Sequence, residues 1–339
     1  MASMFYEKDC DIKVLDGKTV AIIGYGSQAH AHALNLRDSG VNVVIGAREG
    51  GGSWNAAAAD GFEVMSIADA TTKGDVVMLL IVDDAQPAVF EAEIKPHLTA
   101  GKALGFAHGF NIRYGFLQPP ADVDVFMAAP KGPGHTVRGQ FVAGKGVPSL
   151  IAIEQDATGK AYDVAKAYLA GIGGARAGIL ETTMHEETET DLFGEQVVLC
   201  GGVVDLMRCA FEVLIENGYS PENAYFECLH ELKLIIDIVN KGGITGLHTS
   251  ISDTAEYGEY VSGPRVVPHE ETKARMREVL TDIQDGTFAD AWLEENKNGR
   301  KWFYEQRAAL EKHPMEVIGR ELREKMLWQG DDNLDTASN

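Results

Sequence analysis

Short apolar runs alternate with helix-like stretches through the first half of the chain. Residues 18–23 (KTVAII) form a continuous apolar run of the length of one buried strand. A glycine-rich turn and a helical stretch follow at once in GYGSQAHAHALNLRDSG, and VNVVIGAR makes a second apolar run. The alternation continues through DVVMLLIVDD, the helical PAVFEAEIKPHL, KALGFAHGFNI, DVDVFMAAPKGPGH, SLIAIEQDATGKAYDVAKAYLAGIG and ARAGILETT. Strands separated by helices predict an open, doubly wound, mostly parallel sheet, an α/β domain. From Met184 the period changes, and apolar residues recur at three and four. Asn217-Gly218 ends a first long helix, Ser220-Pro221-Glu222 opens the next with an N-cap and a proline at N1, and Gly242-Gly243 closes it. The remaining stretches are helical with alternating charge. The expected division is therefore 1–182 for the α/β domain, 183–328 for an all-α domain, and 329–339 for a disordered acidic tail.

Composition narrows the partners. Thirty basic against 51 acidic residues leave a formal charge of −21, with no basic footprint for nucleic acid. The four cysteines, Cys10, Cys200, Cys209 and Cys228, form no CxxC pair, and three lie in apolar helical segments, where buried reduced thiols are expected. MASMFYEKDCD lacks the apolar core of a signal peptide, and no run reaches the length of a membrane span. A soluble, cytoplasmic protein without nucleic-acid or membrane partners is expected.

Two features carry chemistry. Strand, tight glycine turn, helix and strand make the βαβ unit that binds a dinucleotide. Gly24 permits the turn, Gly26 admits the pyrophosphate, and Ala29 takes the third position of the G-x-G-x-x-(G/A) fingerprint. An NAD-type site has an acidic residue at the end of the second strand, whereas this chain has Arg48, a flexible turn and Ser53, which suit a 2′-phosphate. Glu49 beside Arg48 opposes that reading. Asp83, His108 and Lys131 stand at strand ends, where such sheets bind ligands. The second feature is a pair of carboxylate pairs, Asp191 with Glu195 and Glu227 with Glu231, each spaced i, i+4 in a helical segment. Like charges one turn apart repel, so an inward face would keep them only for a hard cation such as Mg²⁺. The stretch between the pairs, FGEQVVLCGGVVDLMRCAFEVLI, reads as a buried helix. Solvated surface charge is the plainer reading of either pair alone.

GYGSQAHAHALN, AHGFNI, MAAPKGPGH, ETETDLFGEQVVLCGG, AYFECLHELKLI and SISDTAEYG, taken in order, resemble ketol-acid reductoisomerase in its short class I form, from about Phe5 to Met326. The resemblance implies a Rossmann domain joined to an all-helical, knotted domain. It implies a Mg²⁺-dependent alkyl migration on 2-acetolactate or 2-aceto-2-hydroxybutyrate, then reduction by NAD(P)H, in branched-chain amino acid biosynthesis. By position, Asp191 and Glu195 resemble ligands of one Mg²⁺, with Asp191 bridging to a second held by Glu227 and Glu231. His108, Lys131 and Glu195 resemble the catalytic residues, and Ser252 the substrate-carboxylate contact. Tyr25, Gly26, Ser27, Gln28, Arg48, Ser53, Asp83, Asp84, Ala85, Gln86 and Gly134 resemble the cofactor contacts. Arg48 and Ser53 favour NADPH as the cofactor, with NADH open to it because Gly51 stands where NADPH-using members often carry a serine. Ala29 and Val82 also depart from the family pattern. Consecutive antiparallel helices would hold Asp191 and Glu231 at opposite ends, so a homodimer with shared sites is expected, with room for a higher assembly of dimers. The alternatives are a metal-independent NADP-dependent hydroxy-acid dehydrogenase and a non-catalytic NADP-sensing module.

Overall fold

The computed structural model describes residues 3–326, so the tail expected at 329–339 lies outside the described residues. The described chain divides into two compact units, residues 3–190 and 191–326.

The first unit is built on a nine-stranded sheet. Its strands are β1 (Met4–Phe5), β2 (Thr19–Ile23), β3 (Asn42–Gly46), β4 (Glu63–Met65), β5 (Val76–Leu79), β6 (Ala103–Phe106), β7 (Asp124–Pro130), β8 (Ser149–Gln155) and β9 (Ile179–Glu181). They lie in the order β1-β9-β8-β7-β6-β5-β2-β3-β4. The run from β4 to β7 is parallel throughout, and β8 turns antiparallel against β7. Winding runs outward in both directions from β2, so the order reverses between β2 and β5. That reversal is where a doubly wound sheet leaves its ligand crevice. The two-residue β1 and three-residue β4 carry too little apolar pattern to stand out in the sequence. Both take their conformation from a neighbouring edge.

Among the described residues nine α-helices accompany the sheet: α1 (Ser27–Asp38), α2 (Gly52–Ala59), α3 (Ile67–Lys73), α4 (Gln86–Val89), α5 (Phe110–Arg113), α6 (Gly134–Val142), α7 (Ala161–Gly171), α8 (Gly174–Ala177) and α9 (Met184–Gly194). Helices on both faces explain the continuous apolar runs, because a strand covered on both sides has no polar face. Val20, Ile22, Val43, Ile45 and Met78 pack with Ala33 and Leu36 of α1 and with Tyr168 of α7. The alternate residues Ala21, Ile23, Val44, Val77 and Leu79 pack on the other face with Phe90, Ile94 and Met184.

The second unit is helical: α10 (Gly201–Glu216), α11 (Pro221–Tyr225), α12 (Glu231–His248), α13 (Asp253–Val266), α14 (His269–Gln284), α15 (Thr287–Lys297), α16 (Lys301–Glu311) and α17 (Pro314–Lys325). Ser220 caps α11 by accepting the Asn223 N–H, as the sequence signal predicts. Gly243, at φ 66° and ψ −173°, breaks α12 where the glycine pair was expected to close it. Phe211, Ala224, Tyr225 and Met315 form a small core. Two expectations fail here. The stretch expected as a buried helix leaves Val198, Leu199, Leu206 and Val213 exposed, and Phe211 is the one buried side chain of α10. Cys200 and Cys209 are exposed and Cys228 only half-buried, although all four cysteines are free. Apolar composition shows that a surface must be covered, not which surface covers it. Among the described residues no helix is long and apolar enough to cross a membrane.

One core group sets a pH limit. His32 on α1 is fully buried, and its Nδ1 shares a 2.8 Å hydrogen bond with the Tyr168 hydroxyl. Burial pushes the imidazole down to about 3. The unfolded chain takes up that proton near pH 6.5, so the stability is complete above 6.5 and is lost as pH falls toward 3. Between pH 6.5 and 5 the loss is about 2 kcal/mol. Thermal melts at pH 7 and 5 should show a smaller acid shift for His32→Gln than for the native chain. Equal shifts would remove His32 as the cause.

Candidate active site

The glycine-rich turn lies at the switch point. Gly24, at φ 97°, packs against the loop after β5: a Cβ there would stand 2.7 Å from Ile81 Cγ2 and 2.9 Å from Leu80 O. Gly26 caps α1 in an extended conformation, and Gly26 and Ser27 are exposed at the helix start. A Cβ on Gly134, the first residue of α6, would collide with the Ser27 carbonyl, so the N-termini of α1 and α6 meet side by side. Gln28 ties them together by donating its Nε2–H to Gly132 O at 2.8 Å. Two helix N-termini in one place present unpaired N–H groups and positive dipole ends, which suits a pyrophosphate. Tyr25 is buried, and its hydroxyl donates to Asp60 Oδ2 at 2.7 Å, so its side chain braces the turn from below. At the end of β3, Arg48 and Ser53 are exposed around the start of α2, and a Cβ on Gly51 would lie 3.0 Å from Arg48 O.

On the other side of the crevice, Asp83, Asp84 and Ala85 occupy the loop after β5, and Gln86 begins α4. Gln86 is buried, with its amide committed to protein partners. Burial pushes the Asp83 carboxyl up, while His108 pulls it the other way. β6 ends at Phe106, two residues before the expected strand end, so His108 stands on a loop.

The carboxylate that organises the site is one the sequence reading did not single out. Glu187 on α9 is buried, its Oε1 is 2.7 Å from Lys131 Nζ, and its Oε2 is 3.2 Å from His108 Nδ1. Burial alone would raise this carboxyl, but His108 and Lys131 hold it below the ordinary carboxylate range. Glu187 thereby gathers side chains from the ends of β6 and β7. Next to it, Arg113 Nε donates to Glu189 Oε1 at 3.0 Å, fastening α5 to α9. The missed signal was present: Glu187, Asp191 and Glu195 are three carboxylates at a spacing of four.

α9 runs on through Asp191, the residue at which the second unit begins, so the helix itself places that side chain. Ligand atoms of His108, Glu187 and Asp191 lie within 4.8 Å of one another, and among the described residues no other group of three or more such side chains is as close. Glu195 is exposed and opens a π-helical turn, Glu195–Leu199. Glu227 and Glu231 are also exposed, with Glu227 inside a second π-helical turn, Phe226–His230. The regular i, i+4 geometry expected for the two pairs is therefore modified at both. Such i→i+5 turns concentrate at functional sites. Ser252 caps α13, its Oγ accepting the Ala255 N–H at 3.2 Å.

Residues 14–178 match the family model described as acetohydroxy acid isomeroreductase, NADPH-binding domain. Residues 184–328 match ketol-acid reductoisomerase, C-terminal domain. A solved NADH-preferring ketol-acid reductoisomerase from an uncultured archean is 47% identical, with a TM-score of 0.93 over 96% of this chain and 99% of that one. A semialdehyde dehydrogenase NAD-binding protein from Cupriavidus necator, in complex with calcium and NAD, is 19% identical, with a TM-score of 0.55 over 77% of this chain and 99% of that one. A pyrroline-5-carboxylate reductase from Coxiella burnetii is 13% identical, with a TM-score of 0.55 over 80% and 97%. The last two share the fold.

The close approach of α9 to the His108 loop has a direct test. A Cβ on Gly109 would collide with Thr188 Oγ1 and stand 2.8 Å from Met184 Sδ. Gly109→Ala should cost about 1–3 kcal/mol in stability, as overpacking does, and should lower turnover by moving Glu187 off His108 and Lys131. Native-like melting and turnover in that variant would show that this contact does not set the site.

Proposed function

The chain belongs to the ketol-acid reductoisomerase family, and on that premise we propose that it performs the Mg²⁺-dependent alkyl migration and nicotinamide-dependent reduction of 2-acetolactate or 2-aceto-2-hydroxybutyrate. The observation that carries this is buried Glu187, which gathers His108 and Lys131 at the strand ends and continues along one helix to Asp191. Glu187 is already paired with Lys131 and His108, and the acids that follow it at a spacing of four, Asp191 and Glu195, offer the carboxylate oxygens that a hard divalent cation takes. Asp191 and Glu195 would hold one Mg²⁺, and Asp191, Glu227 and Glu231 a second. When bound, the metals polarise the substrate oxygens and lower the pKa of its hydroxyl, and the nicotinamide supplies the hydride. In the first step the hydroxyl proton leaves, and the alkyl group moves with its electron pair to the neighbouring ketone carbon. The old carbinol carbon becomes a ketone, and the oxygen at the new position takes up a proton. In the second step the new ketone gains a hydride and a proton, giving the 2,3-dihydroxy-3-alkyl acid. Lys131 and His108 would face the oxygens on which charge develops, with Glu187 holding both in place. Ser252 would bind the substrate carboxylate. Such an enzyme acts on a small soluble substrate in the cytoplasm.

NADPH binding is supported by Arg48 and Ser53 beside the start of α2, and is opposed by Glu49 and by the absence of a hydroxyl at Gly51. A modest preference for NADPH follows. The test is acetolactate-dependent oxidation of NADPH and NADH, with and without Mg²⁺. Activity in EDTA would favour the metal-independent dehydrogenase. Arg48→Ala removes one charge-assisted bond, worth about 1.5–3 kcal/mol, so the KM for NADPH should rise about tenfold or more and that for NADH far less. Equal changes would take Arg48 out of the phosphate site.

A two-fold dimer with shared sites is supported by two observations. Glu227 and Glu231 lie outside the cluster that holds Asp191, and the second unit exposes Leu206, Val213, Leu234, Ile236 and other apolar side chains. A C₂ partner would cover such a surface and could bring the second carboxylate pair to the first. Asp191→Asn and Glu231→Gln should each be inactive in both half-reactions. Unfolded together and refolded, they should recover about a quarter of native activity, because about half the dimers are mixed and each mixed dimer has one intact site. No recovery would place each site within a single chain.

A further inference from the structure

The loop after β5 has little backbone structure of its own. Its turn bonds are Ala85 N to Val82 O at 3.1 Å and Gln86 N to Asp83 O at 3.2 Å. Two buried amides hold it instead. Asn111 on α5 donates Nδ2–H to Asp83 O at 2.9 Å and to Gln86 Oε1 at 3.0 Å. Gln86 donates Nε2–H to Ile81 O at 2.9 Å and to Asp83 Oδ1 at 3.1 Å. Asn111 is 1% exposed and Gln86 5% exposed. Each amide has two N–H groups, and all four are used. Turning Asn111 over would set its oxygen against the Asp83 carbonyl and Gln86 Oε1, and turning Gln86 over would set its NH2 against that of Asn111, so the network has one orientation.

The base of this network is fixed too. Arg113, two residues along the same turn, is fastened to Glu189 on α9. The far end of the loop rests on Gly24, where Leu80 and Ile81 leave no room for a Cβ, and Leu80 N–H donates to Ile23 O at 3.0 Å. The loop and the glycine-rich turn are thus the two walls of the switch-point crevice, and Asn111 stands behind one wall.

We propose that Asn111 is a positioning residue for the cofactor: through Gln86 and the Asp83 backbone it sets the loop after β5 at the distance from the glycine-rich turn that a nicotinamide dinucleotide requires. This rests on the reading that the cofactor lies across the switch point. Asn111 itself touches neither the cofactor nor the reacting atoms.

The experiment is a fluorescence titration of NADH and NADPH against the full chain without metal or substrate. Native protein is compared with Asn111→Asp, Asn111→Ala, Gln86→Ala and the double variant Asn111→Ala/Gln86→Ala. Asn111→Asp keeps the shape and removes both donors, so it covers the case in which the alanine variant does not fold. Each single variant should bind both cofactors about tenfold more weakly, since a displaced wall loses contacts on every dinucleotide. The loss should be equal for the two, because the 2′-phosphate lies at the β3 end. The double variant should be little worse than either single one, because the two amides act as a unit. Variants that melt earlier but bind both cofactors as tightly as native, well below their melting temperature, would overturn the proposal and leave Asn111 a structural residue. Additive losses would overturn its action through Gln86. Native protein that binds neither cofactor would refute the switch-point reading instead.

Discussion

A buried carboxylate is costly unless charged or hydrogen-bonding partners meet it, and Glu187 is the place where this chain meets that condition. Its partners come from two different strand ends, so α9 can satisfy Glu187 only by lying across the ends of β6 and β7. Gly109 makes the fit possible by leaving out a side chain where Thr188 and Met184 press in. Arg113 and Glu189 repeat the logic two residues on, with a second buried acid met by a guanidinium from the helix that follows β6. The part of α9 that precedes Asp191 is therefore placed by the pairs that Glu187 and Glu189 make, before any metal is considered.

The cofactor side depends on close backbone approach rather than on charge. Gly24 against Leu80 and Gly134 against Ser27 bring three loops and two helix N-termini to one point. The polar side chains around that point mostly serve the protein: Tyr25 is held by Asp60, Gln28 by Gly132, and Gln86 by its own loop. A site made of backbone donors needs side chains chiefly to hold the backbone still.

The second unit shows the opposite economy. Its core is small, its apolar residues lie largely on the surface, and both carboxylate pairs are touched by π-helical turns. The proposed two-fold pairing would account for the exposed apolar surface and for the distribution of the four acids. It would also account for Cys200 and Cys209 lying on the surface of one chain, despite their apolar surroundings in sequence.

The sequence by itself determined the fold class, because buried parallel strands leave continuous apolar runs and helices leave a period of three to four. It determined the family, because six motifs occur in order over nearly the whole chain. It also marked His108 and Lys131 as residues at strand ends. It did not reveal Glu187 as their common partner, since the three are far apart in sequence and a carboxylate four residues before Asp191 looks like any acid on a helix face. Nor did it reveal the amide network of Asn111 and Gln86, whose members are ordinary polar residues until the sheet brings them together. The tertiary structure alone decided these pairings, because hydrogen-bond partners between distant segments follow from strand order and helix docking, and local periodicity carries neither.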